Sequence, residues 1–188
     1  MSQGEIIESM RARAEKAAAV VSSAATLEEA IAYAVNLTAE EGGTTLAAPG
    51  MDDAAREALG KACGEKGITL LDSPLRDKMT RIHTAFTWAD RGIADTGTLV
   101  LNSNSEELRL ATMLSETHVA VLPTDKVVPS MDELEGYMTD HFKNGAGYVA
   151  FITGPSRTAD IERILTIGVH GPERLHILLA ENLDGGEK

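Results

Sequence analysis

Apolar positions along the chain repeat at helical spacing in some segments and run without interruption in others. The segment 5–21 predicts one amphipathic helix, because its apolar side chains recur on a single stripe: Ile6, Ile7, Met10, Ala14, Ala17 and Val21. Thr26 and Glu29 form a capping-box pair, which predicts a second helix to about residue 40. Further helices are predicted at 52–63, 75–83, 105–114 and, after the Ser130 and Glu133 pair, 131–143.

Short runs that are apolar throughout lie between these helices and predict buried strands at 44–50, 68–71, 97–102, 118–123, 148–154 and 174–180. Such strands, alternating with helices, indicate a mostly parallel sheet that is covered on both faces. We therefore expect an α/β protein, a three-layer α/β/α domain with added N-terminal helices. Residues 1–40 are expected to form a helical extension packed on the domain, 41–182 the α/β domain and 183–188 a flexible tail.

Composition narrows the classes of partner. The chain has 188 residues, 43% of them hydrophobic, which is enough for one sizeable core. Its formal net charge of -12 disfavours nucleic acids and anionic membranes as partners. The single cysteine, Cys63, excludes an internal disulfide and an iron–sulfur cluster ligated by this chain alone, and we expect it to be buried. Without a secretion signal or an apolar run of membrane length, the protein is expected to be cytoplasmic.

The segment 92–102, GIADTGTLVLN, places polar side chains and a glycine before a predicted strand. Gly97 has no side chain, so its backbone is able to turn sharply or approach a ligand closely. Thr96 and Thr98 offer hydroxyls that we expect to bind a ligand with Gly97, and Asp95 offers a carboxylate for a catalytic role as acid, base or orienting group. The other interpretation is a turn that is closed by its own side chains.

The segment 153–162, TGPSRTADIE, follows a predicted strand and leads into a predicted helix. Ligands of open α/β sheets bind beyond the carboxyl ends of the strands, where backbone N–H groups and an arginine are able to hold a phosphate or a carboxylate. The candidate ligand-binding residues are Gly154, Ser156, Arg157 and Thr158. Alternatively, Thr158 is a plain helix cap, and the acidic first turn of that helix repels anions.

Arg109 and the histidines complete the candidate chemistry. Arg109 follows the predicted strand 97–102 and is either a ligand contact or a solvated surface residue. The histidines show no spacing typical of metal ligands, so no metal site is predicted: His83, His118, His141, His170 and His176. His170 lies at a turn bounded by glycines and is the second catalytic candidate beside Asp95, unless the backbone satisfies it.

Three stretches taken together resemble a known family: GIADTGTLVL, SETHVAVLP and TGPSRTADIERILTIGVHGPERLHILL. They are similar to the lactate-utilisation protein C group of LUD-domain proteins, formerly DUF162. That pattern is an A-[DE]-T-G-[TS] turn, an arginine-bearing segment ending in L-P-x-x-H-[IV], then G-P-S-x-T-A-D-I-E and G-x-H-G-P. The corresponding residues are 94–98, 109–119, 154–162 and 168–172. One departure is that Ser115, Glu116 and Thr117 replace the leucine–proline run before His118.

The resemblance implies a fold like the NagB/RpiA/CoA-transferase class, with the LUD domain at 41–182. It also implies a role in oxidising L-lactate to pyruvate beside partner proteins that hold iron–sulfur centres. The expected function is thus an accessory subunit, without a redox centre of its own, that binds a small anionic ligand in a cleft. The cofactor is unknown, and whether the chain is itself an enzyme is left open.

Two alternatives remain. One is a free-standing enzyme of the same fold class that acts on a sugar phosphate, an acyl-CoA or a folate, for which Glu106 and Glu107 are the nearest candidate carboxylates. The other is a non-catalytic scaffold whose first helix packs on the domain, on another subunit or on a second copy in a homo-oligomer.

Overall fold

The computed structural model describes residues 1–143, 145–158, 166–167, 171–181 and 183. The α-helices are α1 (Gln3–Lys16), α2 (Leu27–Glu40), α3 (Asp53–Glu65), α4 (Glu106–Leu114) and α5 (Glu135–Phe142). Short 3-10 helices span Leu75–Arg81, Thr124–Lys126 and Met131–Leu134. The strands are β1 (Val20–Ala24), β2 (Thr45–Ala47), β3 (Thr69–Leu70), β4 (Thr84–Trp88), β5 (Arg91–Ile93), β6 (Thr98–Asn102), β7 (Thr117–Pro123), β8 (Val127–Val128), β9 (Val149–Ile152), β10 (Arg157–Thr158), β11 (Thr166–Ile167) and β12 (Arg174–Ala180).

Among the described residues, six strands form the central sheet in the order β1-β12-β7-β4-β2-β3, and each neighbouring pair is parallel. Helices cover both faces of this sheet, as the two core clusters show. The predicted fold class, α/β with a central mostly parallel sheet, is therefore confirmed. Because the strands are parallel, they all begin at one edge of the sheet, the amino edge, and end at the opposite carboxyl edge.

Alternating side chains of the central strands pack on opposite faces of the sheet. In β12, Leu178 and Ala180 pack with α2 and α3 on one face, whereas Ile177 and Leu179 pack with α1 on the other. The α1 face also holds a second sheet, in the order β8-β5-β6-β9, whose outer face is packed by residues of α5 and the segment before it. The sequence pattern did not predict this second sheet. It contains two predicted strands, 97–102 and 148–154, which pair with each other in antiparallel fashion as β6 and β9.

The helices begin where their caps predict. Hydroxyl or carboxylate oxygens accept from the first-turn N–H groups of four helices: Ser2 for α1, Thr26 for α2, Asp52 for α3 and Ser105 for α4. The expected capping box at Ser130 is wrong, because its side chain makes no cap hydrogen bond and a 3-10 turn precedes α5. None of the helices in the described part of the chain has the length and hydropathy that crossing a bilayer requires.

Two strands of the central sheet were missed by the sequence pattern. The expected helix at 5–21 ends at Lys16, and β1 follows as an edge strand that pairs with β12. The segment of β4 mixes threonine with apolar residues and therefore did not read as a buried run. Its Thr84 and Thr87 are nevertheless fully buried, because Thr38 and His118 satisfy their hydroxyls. The division at residue 40 into an extension and a domain stays a prediction.

Candidate functional site

The turn at Gly97 packs directly on the end of α1. Gly97 has φ of +67°, and a Cβ atom there would lie closer than 3.0 Å to the backbone of Arg13 and Ala14. Its N–H donates to the carbonyl of Ile93 at 2.9 Å and closes the turn. Glycine is therefore required here both by the backbone conformation and by the close approach of the helix.

The second predicted turn meets the same end of the helix. Thr98 is buried, and its Oγ1 lies 2.8 Å from that of Thr96 and 2.7 Å from that of Thr153, which joins the two turns. Gly154 has φ of +72° and packs against the carbonyl of Ala17. Arg157 donates from its guanidinium to that same carbonyl oxygen. We call this group the turn cluster: Thr96, Gly97, Thr98, Thr153, Gly154 and Arg157, with the end of α1.

The end of α1 sets the electrostatics of the turn cluster. Ala19 donates its N–H to the carbonyl of Ala14 at 3.0 Å and Ala18 donates to that of Glu15 at 2.9 Å, the pattern of a Schellman motif. Ala18, the left-handed residue of this motif, has φ of 69°. A helix C-terminus has partial negative charge and favours a cation. Arg157 thus stabilises α1, while an anion bound at this position would face the negative end of the helix.

The other residues predicted at these turns lie nearby. Asp95 and Thr96 are exposed, and the N–H of Asp95 donates to the carbonyl of Pro129 at 3.1 Å. Ser156 is half-buried, and its N–H donates to the carbonyl of Pro172 at 2.9 Å. The side chain of Thr158, and all of His170, lie outside the described residues. The structure brings the two turns together, and their predicted role in ligand binding stays a prediction.

The turn cluster lies at the amino edge of the central sheet. Gln3, at the start of α1, donates to the carbonyl of Thr124 beyond the end of β7, and α1 ends just before the start of β1. The helix therefore runs from the carboxyl edge to the amino edge. The expectation that the 153–162 loop follows the carboxyl end of a parallel strand is wrong, because β9 belongs to the antiparallel sheet.

Arg109 lies at the opposite end of β6 from Thr98. Its guanidinium donates to the carbonyls of Ser103 at 2.5 Å and Asn104 at 2.8 Å, and it lies 5.0 Å from the ring centroid of Tyr148. Strand rise puts the two ends of β6 roughly 13 Å apart. The structure therefore does not bring Arg109 to the turn cluster, and it holds the loop that follows β6.

A second polar group lies between α5 and the second sheet. Tyr137 and His141 are one helical turn apart on α5, with ring centroids separated by 6.0 Å. The guanidinium of Arg91, on β5, lies 5.0 Å from the Tyr137 ring centroid. Gly147 brings the backbone before β9 so close to His141 and Asn104 that a Cβ atom would lie 2.8 Å from Nε2 and 3.0 Å from Oδ1. We call these five residues the α5 cluster.

Two polar atoms of the α5 cluster are buried without a hydrogen-bond partner among the described residues, the Oη of Tyr137 and the Nε2 of His141. Burial, and then the negative charge of Asp90, raises the pKa of Tyr137 to about 12, while Arg91 acts in the opposite direction. The phenol is therefore protonated at neutral pH and offers an unused donor. An unpaired buried hydroxyl costs about 1 to 3 kcal/mol, so its retention calls for an explanation.

Arg91 and Tyr137 were not predicted as site residues from the sequence, and His141 was given no role there. One signal was available, because Tyr137 and His141 are four residues apart within the predicted helix 131–143 and therefore share a face. No pattern along the chain indicated that Arg91 would lie over that face. Its approach depends on the antiparallel second sheet, which the sequence pattern did not predict.

The remaining candidate groups are tied into the fold. Glu106 forms an ion pair with Arg76, and the Glu107 carboxylate accepts from Ser73 and the Leu75 N–H. Cys63 is buried as predicted, and burial raises the pKa of its thiol to about 11, which makes it a poor nucleophile.

A polar layer ties α2 to the amino edge. The Glu41 carboxylate accepts from Arg174 Nε at 2.7 Å and from Thr117 Oγ1 at 2.6 Å. Tyr33 Oη lies 2.8 Å from His176 Nδ1, and burial lowers the pKa of that histidine. These contacts join α2 to β7 and β12, which is a structural role.

Comparison with known proteins supplies the family. The model of the LUD domain matches residues 7–180. The chain is similar to "Lactate utilization protein C" of Geobacillus thermodenitrificans, with 36% identity over 99 residues that cover 51% of this chain and 41% of that protein. The proteins of the same name from Anoxybacillus flavithermus and Bacillus subtilis (strain 168) are 39% and 32% identical. Those matches cover 49% and 56% of this chain, and 41% and 45% of the relatives.

A solved structure shows the same fold. The crystal structure of a DUF162 family protein from Deinococcus radiodurans superposes with a TM-score of 0.64 at 16% identity, over 96% of this chain and 99% of that one. The chain matches less than half the length of each of these three curated relatives, so the name "Lactate utilization protein C" refers to proteins that the match covers only in part. The family model nevertheless covers nearly the whole chain, and the protein belongs to the LUD domain family.

Proposed function

We propose that this chain serves in lactate utilisation. The observation that supports the proposal is the LUD domain match over residues 7–180, together with curated relatives named "Lactate utilization protein C". In finer detail, the chain is an accessory subunit for the oxidation of L-lactate to pyruvate, and its partners hold the iron–sulfur centres. Its own contribution is to bind a small carboxylate.

A genetic experiment tests the role in the pathway. Deleting the reading frame from its host is expected to abolish growth on L-lactate as sole carbon source while growth on glucose is kept, and a plasmid copy is expected to restore it. Undiminished growth of the deletion strain on lactate would contradict the proposal.

A biochemical experiment tests the accessory role. The purified chain alone is expected to leave L-lactate unchanged and to contain no iron, whereas proteins that it retains from host lysate are expected to contain iron. Turnover of a sugar phosphate, an acyl-CoA ester or a folate by the isolated chain would instead support a free-standing enzyme.

Arg157 is the residue of the turn cluster that was predicted to contact the carboxylate. The contact with Ala17 uses one N–H of a guanidinium that has five, and the side chain is exposed, so a carboxylate is able to reach it. The negative end of α1 opposes such an anion. Because of this opposition, Arg157→Ala is expected to keep its lactate affinity in titrations, and a loss of affinity that Arg157→Lys restores would instead support the predicted anion contact.

A further inference from the structure

Five buried side-chain polar atoms have no hydrogen-bond partner in the described part of the chain. Three of them lie on separate strands or turns: Trp88 Nε1, Ser115 Oγ and His118 Nδ1. The other two, Tyr137 Oη and His141 Nε2, lie one turn apart on α5. Side chains four residues apart share a helix face, so a single bound molecule is able to satisfy both atoms.

The face of α5 that presents these atoms lies across three strands of the second sheet. Tyr137 contacts Arg91 of β5, and His141 contacts Gly147, just before β9. Strand β6 runs between β5 and β9, and its last residue, Asn102, is exposed, as is Asn104. His141 therefore lies near the end of β6, beside side chains that are exposed to solvent.

We propose that the α5 cluster is a binding site for a small 2-hydroxy- or 2-oxo-monocarboxylate. Tyr137 donates a hydrogen bond, His141 donates or accepts one at Nε2, and the Arg91 guanidinium supplies the positive charge. A carboxylate oxygen near Arg91 and Tyr137 leaves the 2-oxygen for His141. The choice of these acids rests on the proposed function, whereas the position of the site rests on the unpaired atoms.

Charge around the cluster limits the ligand to one negative charge. Asp90, whose Oδ2 accepts from the Asn102 N–H at 2.6 Å, lies next to Arg91. Exposed carboxylates of the same segment add to it: Asp132, Glu133, Glu135 and Asp140. The cations beside the cluster are Arg91, Arg109, which donates to the Asn104 carbonyl, and Lys143, which is paired with Asp140 at 3.3 Å. Carboxylates outnumber them, so a doubly charged phosphate should bind less well than a monocarboxylate.

Calorimetric titration of L-lactate and pyruvate into the full chain tests the site. Saturable binding is expected, and Tyr137→Phe and His141→Gln should each weaken it at least 10-fold. Acetate, which lacks the 2-oxygen, should bind more weakly and lose less affinity in His141→Gln. Tyr33→Phe and His83→Gln are matched controls outside the cluster and should keep the affinity of the unmodified chain.

The melting temperature separates a ligand contact from a structural one. Tyr137→Phe removes a hydroxyl that has no partner among the described residues, so the free chain should melt at the same or a higher temperature while losing affinity. A lower melting temperature with unchanged affinity, or no saturable binding of either acid, would overturn the inference. If deletion of the gene leaves growth on lactate intact but the cluster binds carboxylates, the pathway role fails and the site stands. If growth on lactate requires the gene but Tyr137→Phe and His141→Gln both bind the acids normally, the pathway role stands and the proposed site fails.

Discussion

The turn cluster and the α5 cluster are both polar groups between helices and the second sheet, but they differ in whether their polar atoms have hydrogen-bond partners. In the turn cluster, the Thr98 hydroxyl pairs with Thr96 and Thr153, and Arg157 donates to the end of α1. In the α5 cluster, Tyr137 and His141 each keep a buried polar atom without a partner among the described residues. The turn cluster is thus explained by packing, whereas Tyr137 and His141 lie outside the motifs of the sequence and packing does not explain their unpaired atoms.

The largest expected effect is at the turn cluster. Gly97→Ala should lower the free energy of unfolding by at least about 3 kcal/mol, because it combines a left-handed backbone with a Cβ atom pressed against α1. Gly42→Ala is the matched control, since Gly42 has φ of +76° and no described residue has an atom within 4 Å of a Cβ atom placed there. It should cost only about 1 kcal/mol. Urea denaturation of both variants measures the difference, and equal losses would show that α1 does not fix the turn.

His118 is a buried histidine that lies outside both clusters. Within the described part of the chain, His118 Nδ1 also has no partner, but this histidine is fully buried, and burial lowers its pKa to about 4. Because the unfolded chain binds the proton near pH 6.5, the contribution of His118 to stability is present above that pH and is lost as the pH falls toward 4. Because of this group, the free energy of unfolding should be about 2 kcal/mol lower at pH 5 than at pH 7.

The control for this pH effect is His118→Gln, which cannot take up the proton. Its free energy of unfolding should fall less between pH 7 and pH 5 than that of the unmodified chain. An identical pH dependence in the two proteins would mean that His118 is not the group responsible.

A smaller effect of opposite sign is expected beside Arg157. Ala18 has φ of 69° in the Schellman motif, a conformation that disfavours a side chain. Ala18→Gly should raise the free energy of unfolding by roughly 0.5 to 1 kcal/mol, since relief of this strain exceeds the entropic cost of the glycine. Thermal unfolding checks the sign, and a lower melting temperature would contradict the account of the end of α1.

The fold was largely predictable from the sequence, because its strands are buried on both faces and its helices start at strong caps. Segments such as 118–123 and 174–180 are apolar throughout and became β7 and β12 in the middle of the sheet. The strand β4 was missed because its buried threonines depend on partners in distant elements, Thr38 and His118. The second sheet was missed because apolar runs do not show whether their neighbours are parallel or antiparallel.

The candidate site was predictable only in part. Gly97, Gly154 and Arg157 could be chosen as candidates from the sequence, because glycines in turn segments and a lone arginine are recognisable there. The structure brings the two turns together. Nothing local showed that their partner would be the negative end of α1. The α5 cluster joins residues 91, 104, 137, 141 and 147, so its geometry depends on tertiary contacts.

The most direct test of the account is lactate titration into Tyr137→Phe and Arg157→Ala side by side, with the melting temperature of each. We predict that Tyr137→Phe loses at least 10-fold in affinity and melts at the same or a higher temperature. Arg157→Ala should keep its affinity within about 2-fold and melt a few degrees lower, because a cation at a helix C-terminus contributes about 0.3 to 1 kcal/mol. The opposite pattern, with affinity lost in Arg157→Ala and kept in Tyr137→Phe, would contradict the account and place the ligand at the turn cluster.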